Sequence, residues 1–216
     1  MKKGLFFSVL LLLVVWIPAV CFGGEIFLNY SEESVPAGAL PEYESVFLSS
    51  FVKSKEEIKN PDKKLSEFLK RLEWLRGEKD SLKILSEIQK SLNSFKYVPE
   101  VVDHWNTIGQ TVNNGGGDCE DFAVAKAVLV SKFIPDAEIF LVQGFKKSSD
   151  DNHAVVIVKV EKEVFVLDND RNELVIAEDC DYLIPYLAIN VRSESFFILS
   201  PEKKQPASLL AEYEGK

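Results

Sequence analysis

Three residues whose types can form a nucleophilic site follow one another along the chain, and the first has an unusual setting. Cys119 lies within "GGGDCED", directly before the apolar run "FAVAKAVLV". The glycines allow a sharp turn, Asp118 can cap a helix, and the apolar run predicts a buried helix that starts at the cysteine. Unpaired N–H groups at a helix N-terminus favour a thiolate, which is the nucleophilic form. The pattern favours a catalytic cysteine over a small apolar core residue.

A cysteine nucleophile needs a base, and the chain holds only 2 histidines. His153 begins the run "HAVVIVKV" after a polar loop. An imidazole at the first residue of a strand, at the end of a sheet, is well placed to take a thiol proton. His104 is expected to be a surface or partly packed histidine. "HAVVIVKVEKEVFVLDN" predicts a hairpin, and an even loop would place Asp168 opposite His153 or one pair away on the same face. A carboxylate there would orient the imidazole. Asn169 is the alternative orienting residue, and a turn residue is the alternative role of Asp168.

The elements that must position these residues follow from periodicity. Apolar residues at three- and four-residue spacing predict one helix over 61–76, capped by Asn60, and a second that starts at Asp80 and ends near Phe95. Residues 24–60 are expected to be a mostly irregular extension, with Pro36 and Pro41 as breakers and a short helix at "SVFLSSFVKS". After the cysteine helix, runs rich in Val, Ile and Phe predict strands: "AEIFLVQGF", "HAVVIVKV", "EVFVLDN" and "SESFFILS". Helices followed by an antiparallel sheet are typical of an α+β domain.

The first residues have the layout of a secretory signal peptide. Lys2 and Lys3 precede an apolar run over 5–20, which falls short of the roughly 20 residues that span a bilayer. We expect cleavage near Gly23, which makes 1–23 a signal peptide and the mature protein periplasmic or secreted. A retained membrane anchor and lipidation at Cys21 are the alternatives.

Composition and charge restrict the classes of partner. The 216 residues are 46% hydrophobic and carry a net charge of -9, which becomes -11 without Lys2 and Lys3. An acidic chain has no basic face for nucleic acid or anionic lipid, so neither is expected as a partner. Cys119 and Cys180 remain after cleavage, and a disulfide between them is the structural alternative to a reactive thiol.

The motifs together resemble a known family. "GDCEDFAVAKAVLV", "NHAVVIV", "FVLDN" and "YLIPYLAIN" are similar to the bacterial transglutaminase-like cysteine proteinases, among which the LapG-type periplasmic proteases release surface adhesins. The resemblance implies a papain-like fold of the transglutaminase type over 61–200, in which a helix bearing the cysteine packs on an antiparallel sheet. It implies Cys119 as nucleophile, His153 as base and Asp168 as orienting acid. Departures outside these residues, including Phe122 in place of a tyrosine, leave the substrate open, and the tail over 201–216 is polar.

The resemblance also gives the acidic residues a role. Members of the LapG type depend on calcium, and the positions that match their ligands are Asp118 and Glu120, with Asp121 as a weaker candidate. Ca²⁺ takes carboxylate oxygens as ligands. Without the ion these acids would raise the pKa of the thiol, and with it the thiolate would be favoured. Helix capping alone is the alternative role.

The expected function is that of an exported cysteine endopeptidase which forms a thioester acyl-enzyme and cleaves a protein outside the cytoplasm. An inner-membrane receptor is the expected regulatory partner. A transglutaminase-type amide acyltransferase and a catalytically silent binding module are the alternatives. The Cys119 N–H is the expected first oxyanion donor. The second donor stays open among Gln110, Asn113 and Asn114.

Overall fold

Helices make up most of the first part of the described chain. The structure is a computed structural model that describes residues 30–36, 41–99 and 104–201, together with Phe27 and Ala39. Five helices lie in these ranges: α1 (Pro41–Glu57), α2 (Lys63–Leu72), α3 (Ser81–Asn93), α4 (Ile108–Asn114) and α5 (Cys119–Phe133). A 3-10 turn over Glu73–Gly77 follows α2.

The two helices predicted from periodicity are present, with a different start for the first. The second helix starts where predicted: the side chain of Asp80 accepts hydrogen bonds from the N–H groups of Leu82 and Lys83 and caps α3. The N-cap of α2 is Asp62 and not Asn60, because the Asp62 carboxylate accepts the Leu65 N–H at 2.9 Å. The apolar stripe of α2 is buried as its spacing indicated.

The prediction that 24–60 is mostly irregular is wrong for much of that segment. Helix α1 occupies Pro41–Glu57, and strand β1 occupies Tyr30–Val35. Pro41 is the first residue of α1, where the missing N–H of proline leaves no intrahelical hydrogen bond unmade. The sequence of β1, "YSEESV", lacks regular apolar alternation because β1 is an edge strand that pairs only with β9.

The second part of the chain forms a seven-stranded antiparallel sheet. Its order is β1-β9-β8-β4-β5-β6-β7. The strands after α5 are β4 (Glu138–Lys146), β5 (Asn152–Val160), β6 (Glu163–Leu167), β7 (Val175–Ile176), β8 (Leu183–Asn190) and β9 (Ser195–Pro201). The four predicted strands correspond to β4, β5, β6 and β9, and the α+β class is confirmed. A separate two-residue parallel pair joins β2 (Lys96–Tyr97) to β3 (Gly116–Gly117).

Helix α5 lies at the centre of the main core. It packs against β4 and β5 on one side and against α1, α3 and α4 on others. Nearly every side chain from Phe122 to Val130 is buried, which explains why its sequence is apolar all round. Cys119 is the first residue of α5, so its backbone is held by the packing of this helix.

Two predicted segments lie outside the described residues. These are the signal peptide over 1–23, with Cys21, and the polar tail beyond Pro201. Within the described ranges, none of the helices has both the length and the apolar character needed to cross a bilayer.

Candidate active site

The three glycines before the cysteine serve different purposes. Gly115 ends α4 in the left-handed region, with φ of +74°, as the sequence predicted for a sharp turn. Gly116 and Gly117 instead allow close approach. A Cβ on Gly116 would overlap the Lys96 carbonyl oxygen of β2, and a Cβ on Gly117 would overlap the Asp121 carboxylate. This close packing fixes the backbone that leads into α5.

Cys119 is the first residue of α5 and is 5% exposed. Its thiol donates a hydrogen bond to Oε2 of Glu120 at 2.9 Å. Burial raises the pKa of the thiol far above its ordinary value, and the charge and hydrogen bond of Glu120 raise it further. The backbone N–H of Ala154 donates to the sulfur and lowers the pKa, but this contact does not offset the other causes. The thiol is therefore protonated in this arrangement.

His153 and Asp168 form a buried hydrogen-bonded pair. Nε2 of His153 lies 2.8 Å from Oδ1 of Asp168, and the two side chains are 3% and 0% exposed. An ionised carboxylate can only accept, so Nε2 carries the ring proton and Nδ1 is left as the basic nitrogen. Ala154, whose N–H contacts the Cys119 sulfur, is the next residue after His153. The fold thus brings the thiol to the backbone at the start of β5, at the residue that follows His153.

The hairpin between β5 and β6 produces this pair as the sequence predicted. Its two-residue loop joins Val160 to Glu163, and Val156 pairs with Leu167. Continuing the same alternation past the last paired residues puts Asp168 on the face that carries His153, one pair away. The even loop that the prediction required is present.

Two side chains of helix α3 bind the backbone of Asp168. Oε1 of Gln89 accepts the Asp168 N–H at 2.8 Å, and Nδ2 of Asn93 donates to the Asp168 carbonyl at 2.9 Å. The Asp170 N–H donates to Oδ1 of Asp168 at 2.9 Å. Burial raises the pKa of Asp168, but the hydrogen bond and charge of His153 outweigh it and hold this pKa below its usual value. The sequence analysis assigned α3 to scaffold and gave no role to Gln89 or Asn93.

The acidic residues around Cys119 have separate partners. Asp121 is fully buried and accepts hydrogen bonds from the backbone and side-chain nitrogens of Asn106, both at 2.6 Å. It also accepts the N–H of Asp118, the N-cap residue of α5. The carboxylate of Asp121, the weaker calcium candidate, therefore binds the residues that precede α5 to the start of that helix. Glu120 faces the sulfur, and Asp118 is half-buried beside it.

Another group of potential metal ligands lies at the hydrogen-bonded pair itself. Among the described residues, His153, Asp168 and Asp170 are the side chains of this type that come within 4.8 Å of one another. One carboxylate oxygen of Asp168 is bonded to His153, and Asp170 forms an ion pair with Lys146 at 2.5 Å. We therefore assign this group to the His–Asp pair and its surroundings rather than to a metal.

Comparison with known proteins identifies the family. Residues 64–195 match the family described as "Bacterial transglutaminase-like cysteine proteinase BTLCP". This match covers more than half of the chain. The chain belongs to this family. It is therefore a cysteine peptidase of the transglutaminase-like type, and the family resemblance seen in the sequence is confirmed.

Solved structures of Legionella pneumophila LapG share the fold of this transglutaminase-like proteinase. One is 18% identical with a TM-score of 0.54 and covers 76% of this chain and 94% of its own. The calcium-bound form is 21% identical with a TM-score of 0.54, covering 76% and 98%. The EGTA-treated form is 19% identical with a TM-score of 0.55, covering 73% and 88%. No curated protein matches the chain. The predicted transglutaminase-like fold is confirmed.

The remaining predicted residues of the proteinase lie away from the thiol or in its scaffold. The Gln110 side chain accepts the Thr107 N–H, and Nδ2 of Asn113 donates to Asp62, so both fix α4 in place. Cys119 and Cys180 are both free thiols. His104 is exposed, as predicted.

Proposed function

We propose that this proteinase is an exported cysteine endopeptidase in which Cys119 is the nucleophile, His153 the general base and Asp168 the acid that orients it. The observation that supports the assignment most directly is the 2.8 Å hydrogen bond from His153 to Asp168. It leaves Nδ1 as the proton acceptor, on the residue directly before Ala154, whose backbone N–H contacts the Cys119 sulfur.

The reaction follows from these positions. Nδ1 of His153 takes the thiol proton, and the sulfur attacks the carbonyl carbon of the scissile peptide bond. The tetrahedral intermediate places its negative charge on the former carbonyl oxygen, and the Cys119 N–H at the start of α5 is one donor to it. The intermediate collapses to a thioester as the imidazolium protonates the departing amine. Water, deprotonated by the same imidazole, then hydrolyses the thioester and restores the thiol.

Two exposed, largely apolar side chains near the nucleophile could bind an extended segment of a protein substrate. Tyr97 is 54% exposed and Val98 is 48% exposed, and the Val98 N–H donates to the Gly117 carbonyl two residues before Cys119. We propose that they contact the substrate close to the scissile bond. The apolar run at 5–20 supports a substrate outside the cytoplasm and a periplasmic or secreted location. The proposal of an inner-membrane receptor as regulator rests on the family resemblance.

We propose further that Asp118 and Glu120 bind calcium. The fit rests on the chemistry of the donors, since two carboxylates flank the sulfur and one of them already contacts it. When bound there, Ca²⁺ would supply positive charge beside the sulfur, where the acids now raise its pKa. Legionella pneumophila LapG, which has the same fold, has been solved in a calcium-bound and an EGTA-treated form.

Cleavage of a peptide library tests the proposed activity. Mature protein and a Cys119→Ala variant are incubated with a proteome-derived library in calcium, and new N-termini are identified by mass spectrometry. We expect new termini with the mature protein alone. Equal sets of termini from the two proteins would overturn the peptidase assignment, and modified lysines without new termini would favour amide acyl transfer.

A further inference from the structure

Lys126 is a buried cation in the middle of α5. It is 1% exposed, and the buried charged-type side chains among the described residues are Asp121, Lys126, His153 and Asp168. Within the same part of the chain, its Nζ atom has no hydrogen-bond partner. Burying an ammonium group in this way costs free energy that a leucine or methionine would not. A lysine at this position therefore calls for a role beyond packing.

The position of Lys126 relates it to the catalytic groups. Lys126 follows Cys119 by seven residues, just under two helical turns, so the two lie on the same face of α5. Helix α5 packs on β5, which carries His153. Burial lowers the pKa of Lys126 to about 7, and the charges of Asp168 and Asp170 act in the opposite direction. The ammonium group of Lys126 therefore interacts electrostatically with these two carboxylates.

Of these two carboxylates, Asp168 is the one that forms no ion pair with a lysine or arginine among the described residues, although the half-buried Lys146 of β4 lies near enough to interact with its charge. Asp170 is paired with Lys146 at 2.5 Å. Oδ1 of Asp168 is occupied by His153 and by a backbone N–H, while Oδ2 is buried without a hydrogen bond from the described residues.

The other elements packed on α5 supply no competing buried charge. Gln89 of α3 is a neutral amide, and Asp121 at the start of α5 is bonded to Asn106. The buried polar side chains of α1 and β4 are Ser50, Ser54 and Gln143. Tyr182 also lies near Asp168 and helps to hold its pKa low.

We propose that Lys126 is a positioning residue for the His153–Asp168 pair, the counter-charge of the Asp168 carboxylate that keeps His153 neutral. The inference rests on the proposed function of that pair. Without a counter-charge, a buried carboxylate bonded to a neutral imidazole draws a proton onto the pair. A protonated imidazole cannot accept the thiol proton. Lys126 thus keeps the His153 imidazole in the form that can accept the thiol proton.

Histidine NMR tests this role directly, because the chain has only 2 histidines. The full mature protein is labelled with ¹⁵N-histidine and titrated as wild type, Lys126→Met and Lys132→Met. Lys132 lies on the same helix but is only half-buried, and the exposed His104 serves as internal reference. We expect the apparent pKa of the His153–Asp168 pair to rise by about 1 unit in Lys126→Met alone. An unchanged His153 titration in folded Lys126→Met would overturn the proposal.

A reciprocal measurement does not depend on the folding of that variant. In ¹³C-lysine-labelled protein, one lysine signal should titrate near neutral pH. Asp168→Asn should lower the pKa of that lysine by about 1 unit, because the ammonium loses its counter-charge. No change in that pKa would contradict the pairing. Both titrations use resting protein without substrate, so they stay decisive if Cys119 proves not to be the nucleophile.

Discussion

The thiol of Cys119 is subject to two opposing influences at the residue scale. The N-terminus of α5 and the Ala154 N–H favour the thiolate, whereas burial and Glu120 favour the protonated thiol. The second set is stronger. The sequence indicated that acids beside the cysteine would oppose its ionisation, but only the structure identifies Glu120 as the acid in contact with the sulfur.

Removing the charge of Glu120 should activate the metal-free thiol. In Glu120→Gln, the amide keeps the size of the side chain but no longer raises the pKa of Cys119 by its charge. We expect alkylation of Cys119 by iodoacetamide in EGTA to become about 10-fold faster, which corresponds to one pKa unit. Calcium should accelerate alkylation of the wild type and have less effect on the variant.

Glu163→Gln, at the exposed start of β6, is the control and should behave as wild type. A slower reaction of Glu120→Gln in EGTA would contradict the account of the thiol. Equal rates for the wild type with calcium and with EGTA would remove the calcium proposal.

Residue types and their order were enough to select Cys119, His153 and Asp168 as the predicted nucleophile, base and acid, because each lies in a motif with local character. Gln89, Asn93 and Lys126 carried no such signal. Gln89 lies 79 residues before the Asp168 N–H that it binds, and nothing in the helical pattern of α3 marks that contact. Lys126 interrupts an apolar run by a single residue, and its role depends on which carboxylates face it.

At the scale of elements, local pattern predicted the long helices and the central strands. It did not predict β2 and β3, because two-residue strands have no periodicity. Their pairing is nevertheless what sets the backbone before Cys119, through the close contact of Gly116 with Lys96. The alternation that placed His153 and Asp168 on one face was predictable because both strands flank a short hairpin loop.

Alanine at Gly116 should therefore damage the site through an element rather than through a reacting group. Its Cβ would overlap the backbone oxygen of Lys96, which cannot move away as a flexible side chain could. We expect the free energy of unfolding to fall by about 1–3 kcal/mol and alkylation of Cys119 to change. Gly77→Ala is the matched control, because no atom lies within 4 Å of its Cβ. Equal urea-unfolding midpoints for the two variants would contradict this role of the β2–β3 pair.

At the scale of the whole molecule, the core is assembled around a helix that carries both the thiol and a buried cation. The class, the antiparallel sheet and the packing of α5 followed from composition and pattern. The contribution of the segment before α2 did not follow, because the pairing of β1 with β9 joins residues about 170 positions apart.

The buried Lys126 should make stability depend on pH. Its pKa is about 7 in the folded protein and near 10.4 in an unfolded chain. Between these values the unfolded chain binds the extra proton, so the free energy of unfolding rises with pH by up to about 1.4 kcal/mol per unit. Urea unfolding at pH 7 to 10 should show this rise in the wild type relative to Lys126→Met. Parallel curves for the two proteins would contradict the lowered pKa of Lys126 in the folded protein.

The central claim is that His153 activates Cys119, and alkylation followed by peptide mass spectrometry tests it most directly. With calcium present near pH 6.5, Cys119 of the wild type should react with iodoacetamide at least 10-fold faster than Cys180, which serves as the internal control. His153→Gln should abolish that difference while Cys180 reacts as before. Equal rates for Cys119 and Cys180 in the wild type, or an unchanged Cys119 rate in His153→Gln, would contradict the account.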